Sequence, residues 1–301
     1  MLPIASAADS TLFEYDRSAP FDVQTESLNS RTDVKMSGGS LQTLQGRRMD
    51  FVLVEPISKT PLRRPAVIFQ HGGSQTMSTY TGEAAILAKA GVVSVIVEAP
   101  YRSTDEESKT IAKGAVLRDN AARVVASIRR TLDWLSSRPD IDPKRIAYVG
   151  HSYGGNAGGI LASVEPRFKA LALVGLVAKY SQHIAANQSD YWKGYRAAMT
   201  PSELAAVVDL LRSVDPDQFL PKTSGAPLLF QCARFDMDDV KVDCENAFNA
   251  AAKPKTLRWY DVEHHFANLE ASLDRLQWLS STLDVPAIRA VLKRESAKRW
   301  Q

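Results

Sequence analysis

The 301-residue sequence contains few cysteines, few histidines and no long apolar run. Its two cysteines, Cys232 and Cys244, are too few to form a disulfide framework in a chain of this length. Because Cys232 lies within an apolar run, we expect it to be a small buried hydrophobic residue, with a bridge to Cys244 as the less favoured alternative. Neither cysteine has the spacing of a metal site, and we expect no metal or organic cofactor.

The lack of apolar runs and of strong net charge argues against two further classes of protein. No window of about 18 apolar residues is present, so we expect a soluble protein without a membrane span. The formal net charge is only +3, and no basic run is interleaved with aromatic residues, which argues against a nucleic-acid partner. The first residues, MLPIASAADS, resemble the remnant of a trimmed signal peptide but lack its basic start. Cytoplasmic and secreted or periplasmic locations therefore both stay open, as does the oligomeric state.

Short β-branched runs alternate with helical patterns through most of the chain. The predicted strands are 51–54, 66–69, 92–97, 145–149, 170–174, 228–230 and 257–260. The predicted helices are 83–90, 119–135, 201–213 and one running from 153 toward 162. This alternation predicts an α/β domain with a mostly parallel central sheet and helices on both faces. We place the domain at residues 46–283, after an extended lead-in (1–45) with room for one early strand and before a C-terminal helical tail (284–301).

One connection is far longer than the others. Residues 176–223 separate two predicted strands and contain helical patterns and an aromatic cluster, Tyr191, Trp192 and Tyr195. A helical cap over a pocket and a helical excursion that packs on its own domain are both compatible with this pattern. In the first case the three aromatic residues line an apolar substrate pocket, and in the second they belong to the core.

The sequence GHSYGG, residues 150–155, follows a predicted strand and opens a predicted helix. This is a G-x-S-x-G sequence in the strand–turn–helix context that the motif requires. A serine at such a turn has a strained backbone, and the flanking glycines leave room for the close contacts that result. Its hydroxyl is exposed at the carboxyl end of the sheet, where open α/β sheets bind ligands. We therefore predict that Ser152 is a nucleophile.

A serine hydroxyl needs an adjacent base, and histidine is the usual choice. His264 and His265 follow the last predicted strand, on a loop from which either residue can reach Ser152. A surface histidine pair is the alternative. The other three histidines, at glycine turns and in the long connection, are His71, His151 and His183.

The base needs an acid partner, and the oxyanion needs hydrogen-bond donors. Asp236 follows the strand near 228–230 and fits the chain order Ser, Asp, His, with Asp238 and Asp239 as competitors. One donor is expected from the backbone N–H of Tyr153, the residue after the nucleophile. The other is expected from the turn at QHGGS, residues 70–74, which resembles an H-G-G oxyanion motif, although a plain glycine turn is the alternative. The candidate donors of that turn are Gly72, Gly73 and Ser74.

Residues 138–155, RPDIDPKRIAYVGHSYGG, are similar to the D-x-x-R-I-x-x-x-G-x-S-x-G-G signature of one branch of the α/β-hydrolase superfamily. That branch contains dienelactone hydrolases and acetyl xylan esterase-like enzymes, and prolyl oligopeptidase-like enzymes share the signature. The resemblance covers about residues 48–280 and implies an α/β-hydrolase fold with a helical insertion before the acid-bearing strand. It places the nucleophile on Ser152, the acid on Asp236 and the ending "Tyr, short gap, His-x-Phe" on Tyr260 and His264.

The chain departs from this pattern at three points. Ala233 stands where many relatives carry glycine before the acid. An alignment on Asn268 would favour His265 over His264 as the base. Dienelactone hydrolases proper have a cysteine nucleophile, whereas this chain has a serine, so the name of that enzyme does not transfer.

Together the residues and the resemblance predict a serine hydrolase that cleaves a small-molecule carboxylic ester through an acyl-enzyme. In this mechanism Ser152 attacks the carbonyl carbon, His264 takes its proton, and Asp236 orients His264. A serine peptidase or an acyltransferase with the same triad is the main alternative. A non-catalytic binding protein of the same fold is a further one.

Overall fold

The computed structural model describes residues 10–28, 33–44, 47–57, 63–73, 75–98, 112–236, 241–266 and 268–298. Nine strands in these ranges form one sheet. They are β1 (Gln24–Ser27), β2 (Val34–Gln42), β3 (Arg48–Pro56), β4 (Arg64–Gln70), β5 (Val93–Val97), β6 (Ile141–His151), β7 (Ala170–Val174), β8 (Leu228–Ala233) and β9 (Lys255–Tyr260). The helices are α1 (Thr81–Lys89), α2 (Ala112–Ser137), α3 (Tyr153–Val164), α4 (Tyr180–Ala186), α5 (Asp190–Ala197), α6 (Pro201–Leu211), α7 (Lys241–Ala250), α8 (Leu269–Thr282) and α9 (Ala287–Lys298). Short 3-10 helices cover Ser10–Phe13, Met77–Tyr80, Arg212–Val214, Pro216–Gln218 and Leu220–Lys222.

The strand order is β1-β2-β3-β5-β4-β6-β7-β8-β9. The first three strands form an antiparallel ribbon, and β3 also pairs antiparallel with β5. From β5 to β9 every neighbouring pair is parallel. The expectation of a mostly parallel sheet is confirmed, and the lead-in contributes two strands where the sequence left room for one.

Helices cover both faces of the sheet, because successive strand residues point to opposite sides. Ile68 of β4 packs in the core layer formed with α2, α3 and α7, whereas its neighbour Val67 packs in the layer formed with α1, α8 and α9. The strands β4, β5, β7 and β8 are buried almost throughout, as their continuous apolar runs predict. None of the helices in the described ranges is long and apolar enough to cross a membrane.

Two arginines of α2 hold the lead-in against the domain. Arg129 donates to the carbonyl oxygen of Phe13 at 2.7 Å, and Arg130 donates to that of Arg17 at 2.9 Å. Both guanidinium side chains are almost fully buried, so these backbone carbonyls supply part of the hydrogen bonding that the buried charges require, and Arg129 also pairs with Glu165 at 3.3 Å. The described residues around Phe13 and Arg17 therefore pack against α2.

The long connection 176–223 folds into α4, α5, α6 and three of the short 3-10 helices. The sequence explains where α6 begins: Thr200 and Glu203 form a reciprocal capping box, and Pro201 occupies the first turn. Val207 and Leu211 of α6 are buried in the same core layer as α2 and α3. The connection thus packs on its own domain, while its role as a cap over a pocket stays a prediction.

One prediction about the cysteines is wrong. Cys232 is fully buried, as expected, but it forms a disulfide with Cys244. Cys232 lies near the end of β8, and α7 packs against that strand so that the two Cα atoms are 6.0 Å apart. A linear sequence does not show this packing, and a separation of 12 residues alone does not identify a bridge.

Candidate active site

The turn between β6 and α3 consists of one residue, Ser152, which has φ 50° and ψ −110°. A residue with a side chain rarely adopts this conformation, and it persists only where the surrounding structure enforces it. The backbone N–H of Ser152 donates to the carbonyl oxygen of Val174 in β7 at 2.8 Å. A Cβ atom at Gly150 would lie 2.2 Å from the carbonyl oxygen of Gly154, so glycine is required there. The sequence prediction of a tight strand–turn–helix at this serine is confirmed.

Ser152, His264 and Asp236 form a continuous chain of hydrogen bonds. Oγ of Ser152 lies 2.8 Å from Nε2 of His264, and Nδ1 of His264 lies 2.7 Å from Oδ2 of Asp236. A carboxylate can only accept, so Nδ1 carries the ring proton and Nε2 accepts from the hydroxyl of the serine. The Asp236 side chain is only 3% exposed and that of His264 13%, so solvent screens this pair weakly. The arrangement can move a proton from the hydroxyl to the imidazole.

The three side chains meet because each follows a parallel strand at the same edge of the sheet. Ser152 follows β6, Asp236 follows β8, and His264 follows β9. The carboxyl ends of these strands all face the same edge. Their order along the chain and their places after predicted strands could be recognised in the sequence.

The two adjacent histidines, His264 and His265, have different surroundings in the structure. The ring of His264 faces Ser152, whereas His265 is exposed and its backbone N–H donates to the Glu263 carboxylate at 2.9 Å. Asn268, on which an alternative alignment rests, caps α8: its Oδ1 accepts from the N–H groups of the first turn. The observed geometry therefore favours His264 over His265 as the partner of the serine.

The turn that carries the acid is joined to the loop that carries the histidine. The backbone N–H groups of Arg234 and Phe235 donate to carbonyl oxygens at and just past the end of β9, at 2.9 and 3.1 Å. Asp236 follows directly and reaches His264. The two competing acids, Asp238 and Asp239, lie outside the described residues.

The predicted oxyanion donors differ in their surroundings. The N–H of Gly72 already donates to Oε1 of Gln75 at 3.0 Å, so in this arrangement it is not offered to a ligand. Gly73 is exposed, and Tyr153 is the first residue of α3, where the helix dipole favours negative charge. Ser74 lies outside the described residues. The oxyanion roles of Gly72, Gly73 and Tyr153 stay predictions.

The three aromatic residues suggested for a substrate pocket lie in or beside the core to different degrees. Tyr195 is 8% exposed and belongs to the core, whereas Tyr191 is 62% exposed. Trp192 packs edge-on against both, with ring centroids 4.9 Å from Tyr191 and 5.4 Å from Tyr195. For Tyr195 the structure favours the core alternative. A pocket role for the cluster stays a prediction.

Two residues beside the triad were not recognised from the sequence as part of the site. His151 precedes the nucleophile, and its Nε2 lies 2.7 Å from the backbone oxygen of His264. Gln75 follows the H-G-G turn, and its Oε1 lies 2.7 Å from Nδ1 of His151. The only sequence signal for His151 is a polar residue directly after residues 146–150, the apolar and buried half of β6.

Residues 78–268 match the prolyl oligopeptidase family, and this range is more than half of the 301-residue chain. The chain belongs to the prolyl oligopeptidase family. As a member of that family with the α/β-hydrolase fold, it is a serine hydrolase.

Solved structures of other proteins show the same fold. The acetyl xylan esterase from Paenibacillus sp. R4 superposes with a TM-score of 0.74 at 18% identity, over 88% of this chain and 90% of that one. Acetyl Xylan Esterase 1 from Thermoanaerobacterium sp. JW/SL YS485 gives a TM-score of 0.73 at 17% identity, over 90% and 91% of the two chains. The acylaminoacyl peptidase of Pyrococcus horikoshii gives a TM-score of 0.63 at 17% identity, over 84% of this chain but only 41% of the peptidase.

Proposed function

We propose that this member of the prolyl oligopeptidase family hydrolyses carboxylic esters of small molecules through an acyl-enzyme. The observation that carries the proposal is the chain of hydrogen bonds from Ser152 through His264 to Asp236, at 2.8 and 2.7 Å. These are the distances at which a base can take a proton from a nucleophile and an acid can hold the base in one tautomer.

In the proposed reaction, Oγ of Ser152 attacks the carbonyl carbon of the ester while Nε2 of His264 takes the hydroxyl proton. The negative charge on the carbonyl oxygen develops near the start of α3, where the N–H of Tyr153 and the helix dipole stabilise it. His264 then gives its proton to the departing alkoxide, which leaves Ser152 acylated. Water attacks the acyl-enzyme with His264 again as the base, and the acid and the free serine are released.

An ester is favoured over a peptide by the greater structural similarity to the two acetyl xylan esterases, with TM-scores of 0.74 and 0.73 against 0.63 for the acylaminoacyl peptidase. The two acetyl xylan esterases match this chain along nine tenths of their length, whereas most of the acylaminoacyl peptidase has no counterpart here. Membership of the prolyl oligopeptidase family supports peptide hydrolysis as the second candidate. A panel of p-nitrophenyl esters of increasing acyl length and of aminoacyl p-nitroanilides distinguishes the two by their kcat/KM values.

The decisive test of the nucleophile is covalent labelling. A fluorophosphonate should attach to Ser152 in the intact protein, and mass spectrometry of the peptide identifies the residue. Ser152→Ala should lose the label and reduce kcat by at least about 10⁴-fold, because neither an acyl-enzyme nor a phosphonylated serine can form.

Ser78→Ala is the control, since Ser78 is an exposed serine outside the site, and this variant should label and turn over normally. Labelling or ester turnover that survives Ser152→Ala would overturn the proposal. Thermal melting of each variant separates loss of chemistry from loss of fold.

A further inference from the structure

A second imidazole, that of His151, lies next to the hydrogen-bonded group Ser152, His264 and Asp236. His151 is 2% exposed, and its ring is held at both nitrogens. Nε2 lies 2.7 Å from the backbone carbonyl oxygen of His264, and Nδ1 lies 2.7 Å from Oε1 of Gln75. The residue before the nucleophile therefore contacts the backbone of the residue that we propose as the base.

The proton on this second ring can be assigned by counting donors. Burial, together with the nearby His264, lowers the pKa of His151 to about 3, so the ring is neutral at pH 7 and has one N–H. The carbonyl oxygen of His264 can only accept. The carboxamide of Gln75 can turn either its oxygen or its NH2 group toward Nδ1. The His264 carbonyl therefore requires the proton on Nε2 of His151. Nδ1 then accepts from the NH2 of Gln75 only if the carboxamide turns, and this turn gives up the hydrogen bond that its Oε1 accepts from the N–H of Gly72.

The loop that His151 contacts is strained. Phe266, two residues after His264, has φ 52°, in the left-handed region that a bulky residue rarely adopts. Its ring packs edge-on against the ring of His151, with centroids 5.8 Å apart. A strained loop persists only where its surroundings fix it, and His151 fixes this loop at two points.

A space-filling role does not account for these contacts. A buried apolar side chain of similar size would fill the same volume without the cost of desolvating two ring nitrogens. The hydrogen bond to His264 is what an apolar residue would not supply. Without it, the carbonyl oxygen of His264 loses a donor and the loop loses one of its two contacts with His151.

We propose that His151 is a positioning residue: its Nε2–H donates to the backbone carbonyl of His264 and so keeps the imidazole of His264 at hydrogen-bonding distance from Ser152. The inference rests on the proposed function, because it concerns the alignment of that base. A displacement of about 1 Å at a reacting group can reduce the rate by about 10²-fold.

A matched pair of substitutions tests the hydrogen bond. In His151→Gln the amide nitrogen reaches about as far as Nε2 did and can still donate to His264. In His151→Asn the side chain ends one carbon earlier and reaches only toward Gln75. Both variants lose the aromatic ring, so the loss of packing is common to the two.

We expect His151→Gln to retain most of kcat and His151→Asn to lose about 10²-fold, with KM changed little in either. The rate of fluorophosphonate labelling at Ser152 should fall in parallel with kcat. Equal kcat values in the two variants, or a loss confined to KM or to the melting temperature, would overturn the inference. Absence of labelling in the unmodified protein would instead overturn the proposed function.

A measurement on the unmodified protein covers the case in which neither variant folds. Ring ¹⁵N NMR of histidine-labelled protein reports which nitrogen of each imidazole carries a proton. We expect His151 to be neutral with the proton on Nε2 between pH 6 and 8. A proton on Nδ1 over this range would contradict the proposal.

Discussion

His264 and His265 are identical residues next to each other, yet their surroundings differ. The first is mostly buried and bonded to both Asp236 and Ser152, and the second is exposed with its ring centroid 5.9 Å from that of His264. The backbone turn at 264–265 sends the two side chains in different directions. Substitution of His264 should therefore reduce activity strongly, whereas the same substitution of His265 should not.

His264→Gln should lower kcat/KM for an activated ester by about 10⁴-fold, because the amide cannot take the proton of Ser152. His265→Gln is the matched control, since it changes the same residue type to the same replacement one position later. We expect it to stay within about twofold of the unmodified protein, as is usual for an exposed side chain. The reverse ranking of the two variants would assign the base to His265.

At the scale of single elements, the acid turn depends on how β8 and α7 are joined. Cys232 lies near the end of β8 and Cys244 lies in α7, and Asp236 lies between them in sequence. The disulfide therefore closes a short loop around the turn that supplies the acid. A closed loop restricts the unfolded chain more than the folded one.

Removal of this disulfide by Cys232→Ala/Cys244→Ala should lower the free energy of unfolding by about 3 kcal/mol, the chain-entropy value for a loop of this size. Urea denaturation with and without a reductant measures the effect. The reductant should lower the urea midpoint of the unmodified protein and leave that of the double variant unchanged. A midpoint of the unmodified protein that does not respond to reduction would contradict the prediction.

At the scale of the whole molecule, one buried ion pair connects distant parts of the chain. Arg275 of α8 donates to Glu83 of α1, with Nε 3.0 Å from Oε2, and also to the side chain of Gln231 in β8. Both charged side chains are less than a tenth exposed. Gln231 in turn donates to the hydroxyl of Tyr260 in β9 at 2.8 Å. The network holds α1 and α8 to the strands that carry the acid and the base.

Arg275→Met should lower the free energy of unfolding by about 3–5 kcal/mol, because it leaves the Glu83 carboxylate buried without its partner. Glu83→Gln/Arg275→Met should recover much of this loss, since neither charge then remains. Urea denaturation of the two variants at one pH measures the difference. A loss of less than about 1 kcal/mol in Arg275→Met would show that water reaches Glu83 and that the pair does not hold these elements together.

The sequence by itself determined the features that depend on neighbouring residues. Hydrophobic periodicity and the glycines of GHSYGG specify strands, helices and a tight turn locally, so a mostly parallel α/β domain and the turn at Ser152 could be predicted. The resemblance to a known family implied the α/β-hydrolase fold. Strand ends were less certain: β6 begins at Ile141 rather than near 145, because residues 142–145 contain two basic residues, an aspartate and a proline and so interrupt the apolar pattern.

Only the tertiary structure decided which distant groups meet. The resemblance already pointed to His264, but its contact with Ser152, the Cys232–Cys244 bridge and the contact of His151 with the base loop all depend on elements that lie 12 to 113 residues apart in the chain. Periodicity and spacing describe each segment alone and carry no information about the distance between two of them. The orientation of a side chain across the sheet edge is set by packing, and packing exists only once the chain has folded.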